Sequence, residues 1–120
     1  LCASLGTLRY LSAMRACAMM IGNSSSGICE APSLETLNIN IGDRQKGRER
    51  ANTTIDCSSN IEEFTEVIQK YKKGEYNYLL SNIKNPYFGE NVAEKILYTI
   101  KNKLNNEKID LKKKFYVRGE

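Results

Sequence analysis

Apolar residues recur along this chain first at helical and then at strand spacing, and the changes of period mark out its elements. Leu8, Leu11 and Met14 stand at helical spacing behind Gly6-Thr7, so a helix capped by Thr7 is expected to reach Ala16. The unbroken apolar run at residues 18–21 has the character of a strand covered on both faces. Ile28, Ala31 and Leu34 then share one side, which predicts a short helix over residues 26–34 with Pro32 tolerable only in its first turns. Leu37, Ile39 and Ile41 alternate with asparagines, predicting a second strand over residues 37–41 that ends at Gly42.

A charged loop, "GDRQKGRERANTT", with room for a helical turn of its own, leads to a third short strand over residues 54–57. Ser59 and Glu62 have capping-box spacing and open a helix with Ile61, Phe64, Ile68 and Tyr71 on one face. Lys72-Lys73-Gly74 ends it, with cations near the negative helix terminus and a residue free to take positive φ. Residues 76–83 predict another short helix. "NPYFG" then breaks the chain before a long amphipathic helix in which Val92, Ile96, Ile100 and Leu104 repeat, with Ala93 and Leu97 beside them. The tail from Lys108 is charged, with Leu111, Phe115 and Tyr116 as its candidate anchors.

Strands alternating with helices define an α/β fold with an open, mostly parallel sheet. Three short strands are too few for a complete two-sided Rossmann-like domain, so half a domain is expected, with the sheet edge at residues 18–21 left open. A chain of 120 residues, 41% of them hydrophobic, holds one domain at most. Its first residue is Leu1, and no charged segment followed by an apolar run marks a leader, so a piece of a longer protein is expected. The longest apolar run, residues 16–21, is far below the about 20 residues needed to span a bilayer, and a soluble chain with no membrane partner is expected.

The net charge of +4 changes little, because the excess comes largely from Lys72, Lys73 and the run Lys112 to Lys114, without interleaved aromatics. That is a solvated face, and no nucleic-acid partner is expected. Cys2, Cys17, Cys29 and Cys57 show no C-x-x-C spacing and the chain has no histidine, so no metal is expected and the cysteines read as buried thiols in a reducing cytoplasm. Asn23-Ser-Ser and Asn52-Thr-Thr match the glycosylation pattern by coincidence.

The chemistry gathers at "MMIGNSSSGICEAPS", where a strand hands over to a helix. Such a loop aims free N–H groups and the positive end of a helix dipole at one place, and anions bind there. Ser24 and Ser25 add donors, while Gly22 and Gly27 permit turns that a side chain would obstruct. Glu30, just over one turn into the helix, suits ribose hydroxyls better than phosphate; the alternatives are that the serines only cap and Glu30 only favours the dipole. Arg44, after the second strand, stands where it can neutralise a phosphate or remain a solvated loop cation, and Arg48 and Arg50 read as solvated. Neither the dinucleotide fingerprint nor the P-loop pattern occurs.

"LRYLSAMRACAMMIGNSSSGICEAPS" followed by "NINIGDRQKGRERANTTIDC" resembles the nucleotide-binding half of the hydrolysing UDP-N-acetylglucosamine 2-epimerases of bacterial sialic acid synthesis. "NPYFGENVAEKILYTI" is similar to that family's closing motif and terminal helix. The resemblance implies a GT-B architecture, of which residues 1–107 are the C-terminal part of the second Rossmann-like domain and residues 108–120 a charged tail. It also implies that Ser24 and Ser25 hold the UDP diphosphate and Glu30 the ribose, that the arginine of the family's G-x-R-Q-x-G-R loop falls on Arg44, and that Leu5 lies near uracil. The family eliminates UDP across C1 and C2 of the sugar and adds water, releasing N-acetylmannosamine and UDP. Its acid/base carboxylates and histidine precede this segment, so no catalytic residue is expected here and the segment alone should be inactive. No cofactor is implied; the partners are UDP-N-acetylglucosamine, a preceding N-terminal domain and further copies in a cytoplasmic homo-oligomer. "SLETLNIN" departs from the family, which has a glycine-x-proline turn before this strand. Two other functions compete: the same reaction on a UDP-diacetamido sugar for legionaminic acid synthesis, and a non-catalytic module that docks another protein through the long helix and basic tail.

Overall fold

The structure, a computed structural model, describes residues 4–106. Cys2 and the tail from Lys108 lie outside the described residues. In chain order the elements are α1 (Gly6–Ala16), β1 (Met19–Gly22), α2 (Ser25–Cys29), β2 (Leu37–Ile41), β3 (Thr54–Cys57), α3 (Ile61–Lys72) and α4 (Val92–Asn106). Short 3-10 turns occupy Ala31–Leu34 and Asn77–Leu80. The chain divides into two compact units, one running to Phe88 and one from Gly89 onward.

The first unit holds a three-stranded parallel sheet in the order β1-β2-β3. Its register pairs Met19 with Leu37 and Gly22 with Asn40, then Asn38 with Thr54 and Ile41 with Cys57. This is an α/β fold of Rossmann-like type. Residues 37–41 and 54–57 form strands with the expected bounds. β1 is not covered on both faces: as an outer strand it leaves Ile21 48% exposed.

The alternation along β2 does not separate a wet face from a dry one. Leu37, Asn38, Ile39 and Asn40 are all buried, because helices or turns lie over both faces of this middle strand. On one face Ile39, Cys57 and Val67 form the core, with Met19, Ile41, Ile55, Phe64, Ile68 and Tyr76 packed around them. The other face carries the asparagines, and α2 seats there with Gly27 against the Asn38 side chain.

Several local expectations shift by a residue or a role. The end of α1 is served by Ser4, whose Oγ accepts the Gly6 N–H at 3.3 Å, with Leu5 rather than Thr7 at the cap position. The helix expected over residues 26–34 breaks at Glu30, since Pro32 has no N–H to continue the ladder, and it re-forms as the 3-10 turn. Glu35 then takes left-handed φ (56°) at the end of that turn, ahead of β2. Asn60, not Ser59, caps α3, its Oδ1 accepting the Glu62 N–H at 2.7 Å. The buried face of α3 centres on Val67, with Ile61 72% exposed. Its end is as expected: Gly74 takes φ +75°, its N–H reaches Tyr71 O, and Glu75 N–H reaches Lys70 O. Residues 76–83 hold only the 3-10 turn.

The second unit is α4, with Asn91 at φ 52° before it. Val92, Ile96, Ile100 and Leu104 recur along one side of it. Among the described residues no helix is long and apolar enough to cross a membrane.

Candidate functional site

The serine segment leaves the carboxyl end of β1 and the arginine loop leaves the carboxyl end of β2, so both stand at one edge of a parallel sheet, the edge where open α/β sheets hold ligands. Gly22 ends β1 at φ +149°, a conformation that side chains rarely adopt, and turns the chain into the loop. Gly27 plays a different part from the one its loop position suggests. Its φ is ordinary, and its lack of a side chain lets α2 approach β2, where a Cβ would lie 2.3 Å from Asn38 Oδ1.

Ser24 caps α2: its Oγ accepts the Ser26 N–H at 3.3 Å and its carbonyl accepts the Gly27 N–H at 3.2 Å. The Ser24 hydroxyl hydrogen is left to donate outward. Ser25, the first residue of the five-residue α2, is exposed. Glu30 follows the last residue of α2 and is half-buried, and the Ser26 hydroxyl donates to its Oε2 from one turn earlier. That bond fixes the carboxylate's direction and leaves acceptor sites open. Ser26 held no role in the sequence reading, although its i,i+4 spacing from Glu30 was a signal for this pair.

Leu5 and Glu30 are brought together. They line one cleft of about 470 Å³ with Ser4, Gly6, Thr7, Tyr10 and Ser26. Ser24, Ser25 and Arg44 do not line it. Arg44 is exposed and its Nη1 donates to Asn23 Oδ1 at 3.5 Å, which draws it to the residue just before Ser24. A second cleft of about 500 Å³ lies at the ends of β2 and β3 and holds Asp43, Asp56 and Glu63, whose charge repels an anion. An anion at this sheet edge is therefore favoured on the serine and Arg44 side.

Arg48 is exposed, with Nη1 4.0 Å from Cys29 Sγ. Arg50, expected to be solvated, is instead held: its side chain is 21% exposed, pairs with Asp56 and donates to Gln45 O at 2.9 Å. Gln45 is buried and its Nε2 donates to Asn23 O at 2.8 Å. These residues sit in a run of charges that reads as solvent-facing, so only the fold exposes their connections. The cysteines also differ from expectation, since Cys17 is exposed, Cys29 half-buried and only Cys57 buried among those described. Burial, followed by the nearby Glu63 carboxylate, pushes the Cys57 thiol above the ordinary 9.0. Among the described residues no group of three or more histidine, cysteine, aspartate or glutamate side chains is placed to hold a metal.

A parallel sheet whose carboxyl edge carries a serine-capped turn, a carboxylate and an arginine is of the Rossmann-like α/β class. Within that class the chain belongs to the UDP-N-acetylglucosamine 2-epimerase family, which residues 1–101 match. It is 48% identical over 73 residues to the GDP/UDP-N,N'-diacetylbacillosamine 2-epimerase (hydrolyzing) of Campylobacter jejuni, an alignment that covers 61% of this chain and 18% of that protein. It is also 36% identical over 103 residues to the polysialic acid biosynthesis protein P7 of Escherichia coli, covering 86% of this chain and 26% of the relative. The chain thus spans about a quarter or less of the length of these relatives.

Proposed function

We propose that this chain is the UDP-binding C-terminal portion of a hydrolysing UDP-N-acetylglucosamine 2-epimerase with GT-B architecture, a cytoplasmic enzyme that releases N-acetylmannosamine and UDP for sialic acid synthesis. The observation that carries the reading is the meeting of Leu5, Ser26 and Glu30 around one cleft, beside a serine loop to which Arg44 is drawn. Glu30 accepts from the ribose hydroxyls, its other oxygen held by Ser26. Leu5 packs near uracil, and the Ser24 and Ser25 hydroxyls and Arg44 hold the diphosphate.

Elimination breaks the bond from C1 to the diphosphate oxygen, and negative charge grows on the departing UDP. Donors already aimed at that diphosphate stabilise it as it leaves. The proton transfers at the sugar belong to a preceding domain, and full-length copies assemble as a homo-oligomer. A second reading keeps the reaction and changes the sugar to a UDP-diacetamido sugar; the 48% identity to a diacetylbacillosamine epimerase favours it. Calorimetric titration of UDP into the full-length protein tests the site, and loss of affinity in Glu30→Gln is the expected result. Product analysis with each UDP-sugar separates the two readings.

A further inference from the structure

We propose that Gln45 is a positioning residue that couples the arginine loop to the serine loop, so that a diphosphate is held by both loops in fixed register. The inference rests on the UDP site proposed above. Gln45 is 3% exposed although Arg44 and Lys46 on either side of it are exposed. Its Nε2 donates to the carbonyl of Asn23 at 2.8 Å, while Arg44 reaches the Asn23 side chain. Asn23 is therefore gripped twice from the neighbouring loop, immediately before Ser24.

The other end of the link is anchored in the sheet. The Gln45 carbonyl accepts Arg50 Nη2, Arg50 Nη1 pairs with Asp56, and Asp56 Oδ1 accepts Asn40 Nδ2 at 2.7 Å. Asn40 is fully buried in β2. An unbroken series of polar contacts thus runs from the middle strand to the residue before the serines, and Gln45 joins its halves: backbone toward the anchor, side chain toward Asn23. Holding two loops in their bound arrangement before a ligand arrives removes the ordering entropy that binding otherwise loses. None of these residues lines the cleft of Leu5 and Glu30. Gln45 should therefore govern affinity for the diphosphate and leave affinity for the nucleoside alone.

Gln45→Met in the full-length protein is the test, with UDP titrated calorimetrically and uridine by NMR. Methionine keeps the length and flexibility of the side chain and removes Gln45 Oε1, a buried acceptor with no partner, which offsets the lost hydrogen bond. UDP affinity is expected to fall about tenfold while uridine affinity stays within about twofold. Asp56→Asn is the second variant: its side chain is 60% exposed, it keeps an acceptor for Asn40, and it weakens the Arg50 anchor, so a smaller loss confined to UDP is expected. Equal losses for UDP and uridine would mean that Gln45 only stabilises the fold and would overturn the proposal. So would unchanged UDP affinity in both variants. No UDP binding by the unsubstituted protein would overturn the proposed function itself, and the positioning role with it.

Discussion

Replacing Gly27 by alanine sets two effects of opposite sign against each other. Alanine is the better helix former, by about 1 kcal/mol in a helix interior. The new methyl, however, would stand 2.3 Å from Asn38 Oδ1, 2.5 Å from its Cγ and 2.7 Å from its Nδ2, where ordinary contact begins at 3.4 Å. Asn38 is 2% exposed on the middle strand and has no solvent to move into, so the whole amide must shift or α2 must lift from the sheet. Adding a methyl to a packed interior costs about 1–3 kcal/mol, and a gap short by about 1 Å belongs at the upper end. The net expectation is a loss of about 1–2 kcal/mol, read as a lower urea midpoint at unchanged m. Asn38→Ala vacates the contested space, so alanine at position 27 should be better tolerated in the double variant, with a coupling of about 1 kcal/mol. A raised midpoint for Gly27→Ala, or strict additivity with Asn38→Ala, would refute the reasoning by showing that helix propensity decides and that the close approach is soft.

In the full-length protein, Glu30→Gln should weaken UDP binding more than Arg48→Gln by calorimetry; charge-assisted bonds to two ribose hydroxyls are worth on the order of 1.5–3 kcal/mol each, whereas Arg48 is exposed and screened. The 120-residue chain assayed alone should not turn over UDP-N-acetylglucosamine above a no-protein control, because it has no histidine to serve the proposed reaction. Iodoacetamide with peptide mass mapping should label Cys17 well before Cys57, which is both covered and raised in pKa. The sign follows for stability: a raised thiol favours the fold below the ordinary 9.0 and loses that contribution as pH climbs through the higher folded value, so alkaline titration should lower the melting temperature.

The positions of β2, β3 and α4 were legible in the sequence because each has a strong local period or firm punctuation at its ends. The Schellman ending at Lys73-Gly74 was legible for the same reason, since its signal lies within one turn. What the pattern hid was tertiary. Asn38 and Asn40 look like a wet face until α2 is seen to cover them, and Gly27 looks like a hinge until its distance to Asn38 is measured. Capping was misplaced by one residue at α3 because Ser58, Ser59 and Asn60 are all competent caps, and only the backbone angles choose among them. At the site, Glu30 was legible from its place behind the serine turn and Leu5 only from the family resemblance, and the two share a cleft. Gln45, Arg50 and Asp56 were missed, because burial inside a highly charged loop has no signature in composition.

Asn85 opens the "NPYFG" segment, and its Nδ2 donates to Cys29 O and to Ser33 Oγ, both at 2.7 Å. The last carbonyls of a short helix have no partner within it, and here one of them is met from a residue far downstream. The turn that carries Glu30 is thus braced on either side by a single amide. For anyone trimming this polypeptide to a smallest autonomous piece, Asn85 therefore marks a limit. Cutting ahead of it would remove no group from the Glu30 cleft, yet it would unfasten the stretch on which Glu30 is mounted.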